Sequence, residues 1–453
     1  MDKPKPHLVQ RIIPTDYELR PQRWNWAALL QPLDRRLGRD TPEPLSRPQL
    51  VGLRYFWLDG LFTAVSENFY LSFVVLFALA YGANNGQIGL VTAAANLLGA
   101  ISLFPGARLG ERSGRRKQFI VWSAGGLARL ALLGLALLPL LTANPEMAVI
   151  LIVALNGLRA FMNNLGNPAW TAFVADLVPT FMRGRYFSSR NTVMGIAGLL
   201  ILPLAGLIIR NGNDWLGLPF FGYQIVFLMA FAAGMVATLC FWRIPEPPRS
   251  ATHEPVGRAA SFRQTLSQHP NFWGLVISGF IWNLALQVAA PFFNVYLVSH
   301  LGANIAQVGF VNGVSALTAL FGQQIFGRLL DKKGAWWVQG ITGLLIPGLP
   351  FAWIFITQPW HVAILNTFGG FLWAGYNLAN FNLLLELTPN QQRSQAVALY
   401  QTAVFASAVL GPLLGGYLAD AISFKLIFGL SGAGRLLGMV VLWTLARRNQ
   451  RQG

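Results

Sequence analysis

The chain repeats itself. Gly82-Ala83-Asn84, Gln87, Gly89 and Val91 return as Gly302-Ala303-Asn304, Gln307, Gly309 and Val311, each shifted by 220 positions. Leu109, Glu111, Arg112 and Gly114 return as Leu329, Asp331, Lys332 and Gly334 at the same shift. A third block is shifted by 210: Asn156, Asn167, Asp176, Pro179 and Arg183 become Asn366, Asn377, Glu386, Pro389 and Arg393. A repeat of roughly half the chain is far too long for a solenoid. In an apolar chain it points to two homologous membrane halves.

Composition supports this. The chain is 54% hydrophobic and 11% charged, against about 25% charged in soluble domains. A bilayer-spanning helix needs about 20 mostly apolar residues. Twelve such runs are predicted, near 53–81, 86–109, 118–141, 146–175, 190–210, 218–243, 271–299, 304–330, 335–357, 360–387, 394–420 and 423–446. The expected organisation is a cytoplasmic tail over 1–50, a six-helix bundle over 51–243, a Pro-rich polar linker over 244–270, a second six-helix bundle over 271–446 and a short tail over 447–453.

The net charge of +17 is a topology signal. Basic residues cluster before residue 55, at Arg112, Arg115, Arg116 and Lys117, at Arg183 and Arg185, between Arg243 and Arg263, and after residue 446. The intervening loops are nearly free of them, Arg210 and Lys425 excepted. Lys and Arg resist export, so the basic side is cytoplasmic and holds both termini. This distribution argues against nucleic-acid binding. The expected location is the plasma membrane, or the inner membrane of a Gram-negative cell. No cleavable signal peptide is visible, since the first apolar run starts after residue 50.

The single cysteine, Cys240, allows neither an intramolecular disulfide nor a cysteine metal cluster. The five histidines are scattered through tails, loops and span edges, which argues against zinc or His-based catalysis. No Gly-rich phosphate loop is present, so nothing points to ATP drive or to any other cofactor. In the N-terminal tail, Trp26, Leu29, Leu30, Leu33 and Leu37 share one helical face. That stripe suits a helix lying on the inner leaflet; a disordered Pro-rich tail is the alternative.

The loop Ala107-Arg108-Leu109-Gly110-Glu111-Arg112-Ser113-Gly114-Arg115-Arg116-Lys117 resembles the signature between helices two and three of the major facilitator superfamily. Ala107 stands for its first Gly and Glu111 for its Asp. The second copy, Gly327-Arg328-Leu329-Leu330-Asp331-Lys332-Lys333-Gly334, keeps both and diverges at Ala335-Trp336. The resemblance covers about residues 50–446. It implies an all-α membrane protein of twelve transmembrane helices in two six-helix bundles around a central cavity, working by alternating access.

The duplicated motif suggests a cytoplasmic latch of Glu111, Arg112, Gly114, Asp176, Asp331, Lys332, Gly334, Glu386 and Arg393, with Asp176 as the candidate partner of Arg112. Such contacts hold in one state and release in the other. The alternative is that these are topology charges only.

In the resembled fold, helices one, four, seven and ten line the cavity. Each carries a polar stripe on one face. Span one has Asp59, Thr63, Ser66, Glu67 and Tyr70, and span four has Asn156, Arg159, Asn163 and Asn167. Span seven has Asn283, Gln287 and Asn294, and span ten has Asn366, Trp373, Asn377 and Asn380. Polar groups in hydrocarbon face a bundle interior or a wet cavity. The competing role for a single Asn is an interhelical hydrogen bond.

Glu67 lies about 20 Å along span one at 1.5 Å per residue, and its repeat counterpart is Gln287. A carboxyl between burial and a nearby Arg can load and release a proton. Glu67, Arg159 and Asp59 are therefore the candidate coupling residues, though the shallower Asp59 also suits a structural role. The helix-four signature of proton antiporters, Leu-x-x-x-Arg-x-x-Gln-Gly, is matched at Leu155 and Arg159 but not at Met162-Asn163. Of the helix-five signature, Gly198, Pro203 and Gly206 match while Leu202 and Leu207 do not, and a better Gly411-Pro412-x-x-Gly415-Gly416 sits in span eleven. Arg129 and Arg435 are also deep. Their helices are peripheral in the resembled fold, which implies snorkelling or a structural pair.

The leading expectation is a monomeric, proton-coupled exporter of small amphipathic compounds. An uptake symporter or uniporter for a small organic anion or polar solute is the alternative. A non-transporting receptor or scaffold would leave latch and cavity without purpose. No convergent nucleophile and base support an enzyme.

Overall fold

The computed structural model describes residues 46–112, 115–179, 183–246, 270–387 and 393–446. The amphipathic stripe at Trp26–Leu37, most of the linker and the C-terminal tail lie outside these residues. The described chain is helical throughout, without strands.

All twelve predicted spans are helices. Span one is Arg47–Tyr70 continued by Val74–Ala80; span two is Asn85–Arg112; span three runs from Arg116 to Leu141. Spans four, five and six are Pro145–Leu177, Arg183–Leu216 and Phe221–Trp242. Span seven is Pro270–Ala289 continued by Phe292–Ser299, and span eight is Ile305–Lys333. Span nine is Ala335–Leu345 and Gly348–Trp353. Spans ten, eleven and twelve are Pro359–Leu387, Arg393–Ala421 and Phe424–Ala446, the last ending in a π-helical turn. Ten of them are long and apolar enough to cross a bilayer by length and composition alone. Span nine is broken at Ile346-Pro347, and span ten is diluted by its four asparagines.

The duplicated stretch has a local purpose. Asn84 accepts from the Gln87 amide while Gln87 accepts from the Asn84 amide, at 2.8 and 2.9 Å. Asn304 and Gln307 repeat this capping box at 2.9 Å in both directions. Each box satisfies backbone donors that a helix start leaves unpaired. The preceding glycines, Gly82 and Gly302, sit at φ 82° and 66°, where a side chain would strain the turn.

The halves meet along the face away from the chain termini, hereafter the distal face. Gly89 of span two lies against the Pro412 backbone of span eleven, and Gly309 of span eight against Leu202 of span five. A Cβ on Gly206 would lie 2.6 Å from the Ile305 carbonyl oxygen, and one on Gly416 2.7 Å from that of Asn85. Lipid tails are as apolar as leucine, so small residues that let backbones approach hold such helices together. Asp420 adds polar contacts, accepting from Asn85 Nδ2 at 2.8 Å and the Gly86 amide at 3.1 Å. Buried aromatic residues from both halves, including Phe77, Phe227, Phe292 and Phe428, belong to one continuous core cluster.

Candidate functional site in the N-terminal bundle

Glu67 is the centre of the site. It sits where span one faces spans three and four, and two arginines converge on it. Arg159 of span four donates to Glu67 Oε1. Arg129 of span three donates to the same oxygen at 3.3 Å and to Ser66 Oγ at 3.2 Å. Both guanidinium groups are buried. One carboxylate thus serves two buried cations, a geometry in which loss of the anion leaves uncompensated charge.

Neighbours fix the cations. The Arg159 guanidinium lies 4.1 Å over the Tyr70 ring. The Tyr70 hydroxyl donates to Asn156 Oδ1. Asn156 Nδ2 in turn donates to the Val91 carbonyl of span two at 2.9 Å. Arg129 runs along Gly234 of span six, which leaves no room for a Cβ. Arg129 was not among the expected site residues, because its helix is peripheral in the resembled fold. Its approach to Glu67 follows a π-helical stretch, Val121–Leu127, directly before it. Widening the turn rotates every later side chain relative to a uniform wheel.

Asp59, two turns towards the termini, pairs with Arg190 of span five at 3.4 Å. Arg190 also lies 4.5 Å over the Phe56 ring. Asp59, Thr63, Arg129, Asn163, Asn167 and Arg190 all line one cavity of about 230 Å³ inside the N-terminal bundle, walled by spans one, three, four, five and six. The stripes of spans one and four therefore reach a shared space within a single half.

The other stripe residues divide. Asn366 Nδ2 donates to the Val311 carbonyl at 2.8 Å, the repeat image of Asn156 on Val91. These two asparagines staple spans four to two and ten to eight. Asn283 donates to Gly279 of its own helix at 2.8 Å, and Asn380 to the Tyr400 hydroxyl at 3.0 Å. Gln287 packs its Cβ on Gly411 of span eleven. Asn294 is half-buried, and Asn377 is exposed on its helix surface. Trp373 packs edge-on to Trp282 and Tyr376, which stack on each other at 4.4 Å.

The expected pairing of Arg112 with Asp176 involves a side chain, that of Arg112, outside the described residues. The described partner of Asp176 is Arg116, at 3.0 Å, and both are largely buried. Asp176 ends span four, where the helix dipole disfavours a carboxylate. Arg116 starts span three at the same level and supplies the cation. The side chains of Glu111, Arg112, Asp331 and Arg393, and all of Gly114, lie outside the described residues. Gly334 ends span eight at φ 82°, while Lys332 and Glu386 are exposed. Arg116→Ala and Asp176→Ala are expected to be non-additive, with a coupling energy of about 1 kcal/mol or more in a double-mutant cycle read by SDS unfolding. Additive losses would show that the contact contributes nothing.

The sequence signature of the Major Facilitator Superfamily matches residues 56–374 and 284–453. The chain belongs to that superfamily and is a multi-pass membrane transporter, not an enzyme. It is 27% identical over 391 residues to a "Multi-drug resistance efflux pump PmrA homolog" of Lactococcus lactis subsp. lactis, covering 82% of this chain and 88% of the relative. It is 26% identical over 407 residues to "Multidrug resistance protein MdtG" of Salmonella schwarzengrund, covering 87% and 95%. Among solved structures it superposes on a bacterial homologue of the human lysosomal transporter Spinster, with TM-score 0.65, 15% identity and coverage of 89% and 96%. A D-xylose-proton symporter gives TM-score 0.66 at 19% identity, covering 88% and 97%. At these identities the structures speak to the fold alone.

Proposed function

We propose that the chain is a proton-coupled exporter of small amphipathic compounds, with Glu67 as the group that carries the proton. The observation that carries this reading is the single carboxylate shared by Arg159 and Arg129 beside the polar cavity of spans one, three and four. Protonation of Glu67 releases two buried cations from their only shared anion, and a state that rehydrates or re-pairs them becomes favoured. Deprotonation restores the clamp. A proton is thereby exchanged for a change in helix packing, the local event that alternating access needs. The efflux names of the two relatives support the export direction.

Charge distribution supports cytoplasmic termini. With that orientation the glycine contacts lie at the extracellular face. Reporter fusions after residues 141 and 357 are expected to read as external. A cytoplasmic signal at either would overturn the orientation.

The same cations also suit uptake of a small organic anion. Proteoliposomes separate the two readings. Accumulation of an amphipathic compound in inverted vesicles, driven by an inside-acidic gradient, supports export. Gradient-driven uptake only in right-side-out vesicles supports import.

A further inference from the structure

The C-terminal bundle holds a buried cation with no anion of its own. Arg435 lies on span twelve, eleven residues after Phe424, or about 16 Å into the bundle at 1.5 Å per residue. It is 2% exposed. Its Nε and Nη2 are buried and make no hydrogen bond. No carboxylate of the C-terminal bundle lies at that depth. Residues 271–446 contain three acids only: Asp331, Glu386 and Asp420. Asp331 and Glu386 fall in the last turns of spans eight and ten, and Asp420 is engaged with Asn85 and Gly86 at the distal face.

An unpaired buried guanidinium is costly. In a membrane segment such a group usually marks a ligand or ion path. The surroundings have a chemistry of their own. The Arg435 guanidinium is 5.9 Å from the Trp373 ring centroid. Trp373 stands edge-on to the stacked pair of Trp282 and Tyr376. One turn before Arg435, the Ser431 hydroxyl is buried and unpartnered, as are Trp282 Nε1 and Gln339 Oε1. Span twelve is brought against span seven here by Gly434 and Gly438, which face Ala285 and Trp282. A fork of cationic donors, two further unused donors and three aromatic rings thus converge.

We propose that Arg435, with Ser431, Trp282, Trp373 and Tyr376, forms a binding subsite for the carboxylate and ring of an aromatic organic acid. The guanidinium takes the carboxylate as a fork, and the indoles take the ring. The proposal deepens the exporter reading by naming a substrate class, acidic amphiphiles, and it rests on that reading for its physiological sense. The N-terminal bundle adds to the case, since Glu67 alone faces both Arg129 and Arg159. Among the described residues, four buried arginines, Arg129, Arg159, Arg190 and Arg435, thus stand against the two carboxylates Glu67 and Asp59.

The test is equilibrium binding on purified full-length protein, with no gradient and no flux, so it can succeed or fail independently of transport. The probes are radiolabelled salicylate and its neutral analogue salicylamide, in chloride-free buffer at neutral pH. Wild type is expected to bind salicylate at least tenfold more tightly than salicylamide. Arg435→Gln should abolish that preference, while Arg435→Lys should retain most of it. Because no carboxylate of the C-terminal bundle pairs with Arg435, Arg435→Gln should melt no lower than wild type, and salicylate should raise the melting temperature of wild type only. Three results would overturn the proposal: equal affinity of wild type for the two probes, a preference that survives Arg435→Gln, or a large drop in melting temperature that reveals a structural partner. An Arg435-dependent stabilisation by chloride at constant ionic strength, without any by salicylate, would assign the site to an inorganic ion and also overturn it.

Discussion

Glu67→Gln is expected to abolish the response of transport to an imposed pH gradient while gradient-free substrate exchange survives. The amide matches the size of Glu67 and is the residue present at the repeat position, Gln287. It cannot carry a proton. It also leaves Arg159 and Arg129 without the carboxylate they share, so stability should fall by about 3 kcal/mol. Glu67→Asp keeps the charge and serves as the control for folding. Flux in proteoliposomes with and without an inside-acidic gradient decides the matter. If Glu67→Gln follows the gradient as wild type does, Glu67 is not the coupling group, and the Asp59–Arg190 pair becomes the leading candidate.

Gly206→Val is expected to hold the distal face open and to cut transport by tenfold or more. The valine would need the space now filled by the Ile305 carbonyl and by Ala306 of span eight. Overpacking of this kind costs about 1–3 kcal/mol. The strain exists only while the halves touch, so it shifts the equilibrium between states and spares the core of each bundle. Each 1.4 kcal/mol is a factor of ten in population. The readout is labelling of Asn294→Cys by an impermeant thiol reagent applied from outside, in a Cys240→Ser background. Faster labelling in the Gly206→Val protein than in its parent is the expected result. Unchanged labelling and unchanged transport would show that this glycine contact does not govern closure.

Both experiments rest on features that were visible in the sequence to different degrees. The glycine-and-cap repeat was legible because its causes are local. Asn84 and Gln87 cap their own helix, and Gly82 turns its own chain, so the pattern recurs wherever the unit recurs. What Gly206 and Gly416 do was not legible. Their motif is degraded in span five and better kept in span eleven, yet both lie at the same interface, each facing the helix start of the opposite half.

The site divides in the same way. Glu67, Asp59 and Arg159 stood out because acids and bases deep in apolar runs are rare and their spacing sets a helix face. The roles of Asn156 and Asn366 needed the structure, since a polar side chain on an inner face serves a cavity or a neighbouring backbone equally well. The contact of Arg116 with Asp176 also needed the structure, because the alignment of span ends in space decides which of several basic residues meets a given acid.

By itself, the sequence determined the duplication, the twelve spans, the basic face and the depth of Glu67, all properties of composition and period along one chain. Only the tertiary structure decided that Arg129 joins Glu67 and that Arg435 has no carboxylate partner among the described residues. A long guanidinium side chain reaches across helices, and a π-helical turn resets which way the following residues face. Neither effect leaves a periodic trace, because each depends on how helices are rotated against one another and not on the order of residues within one of them.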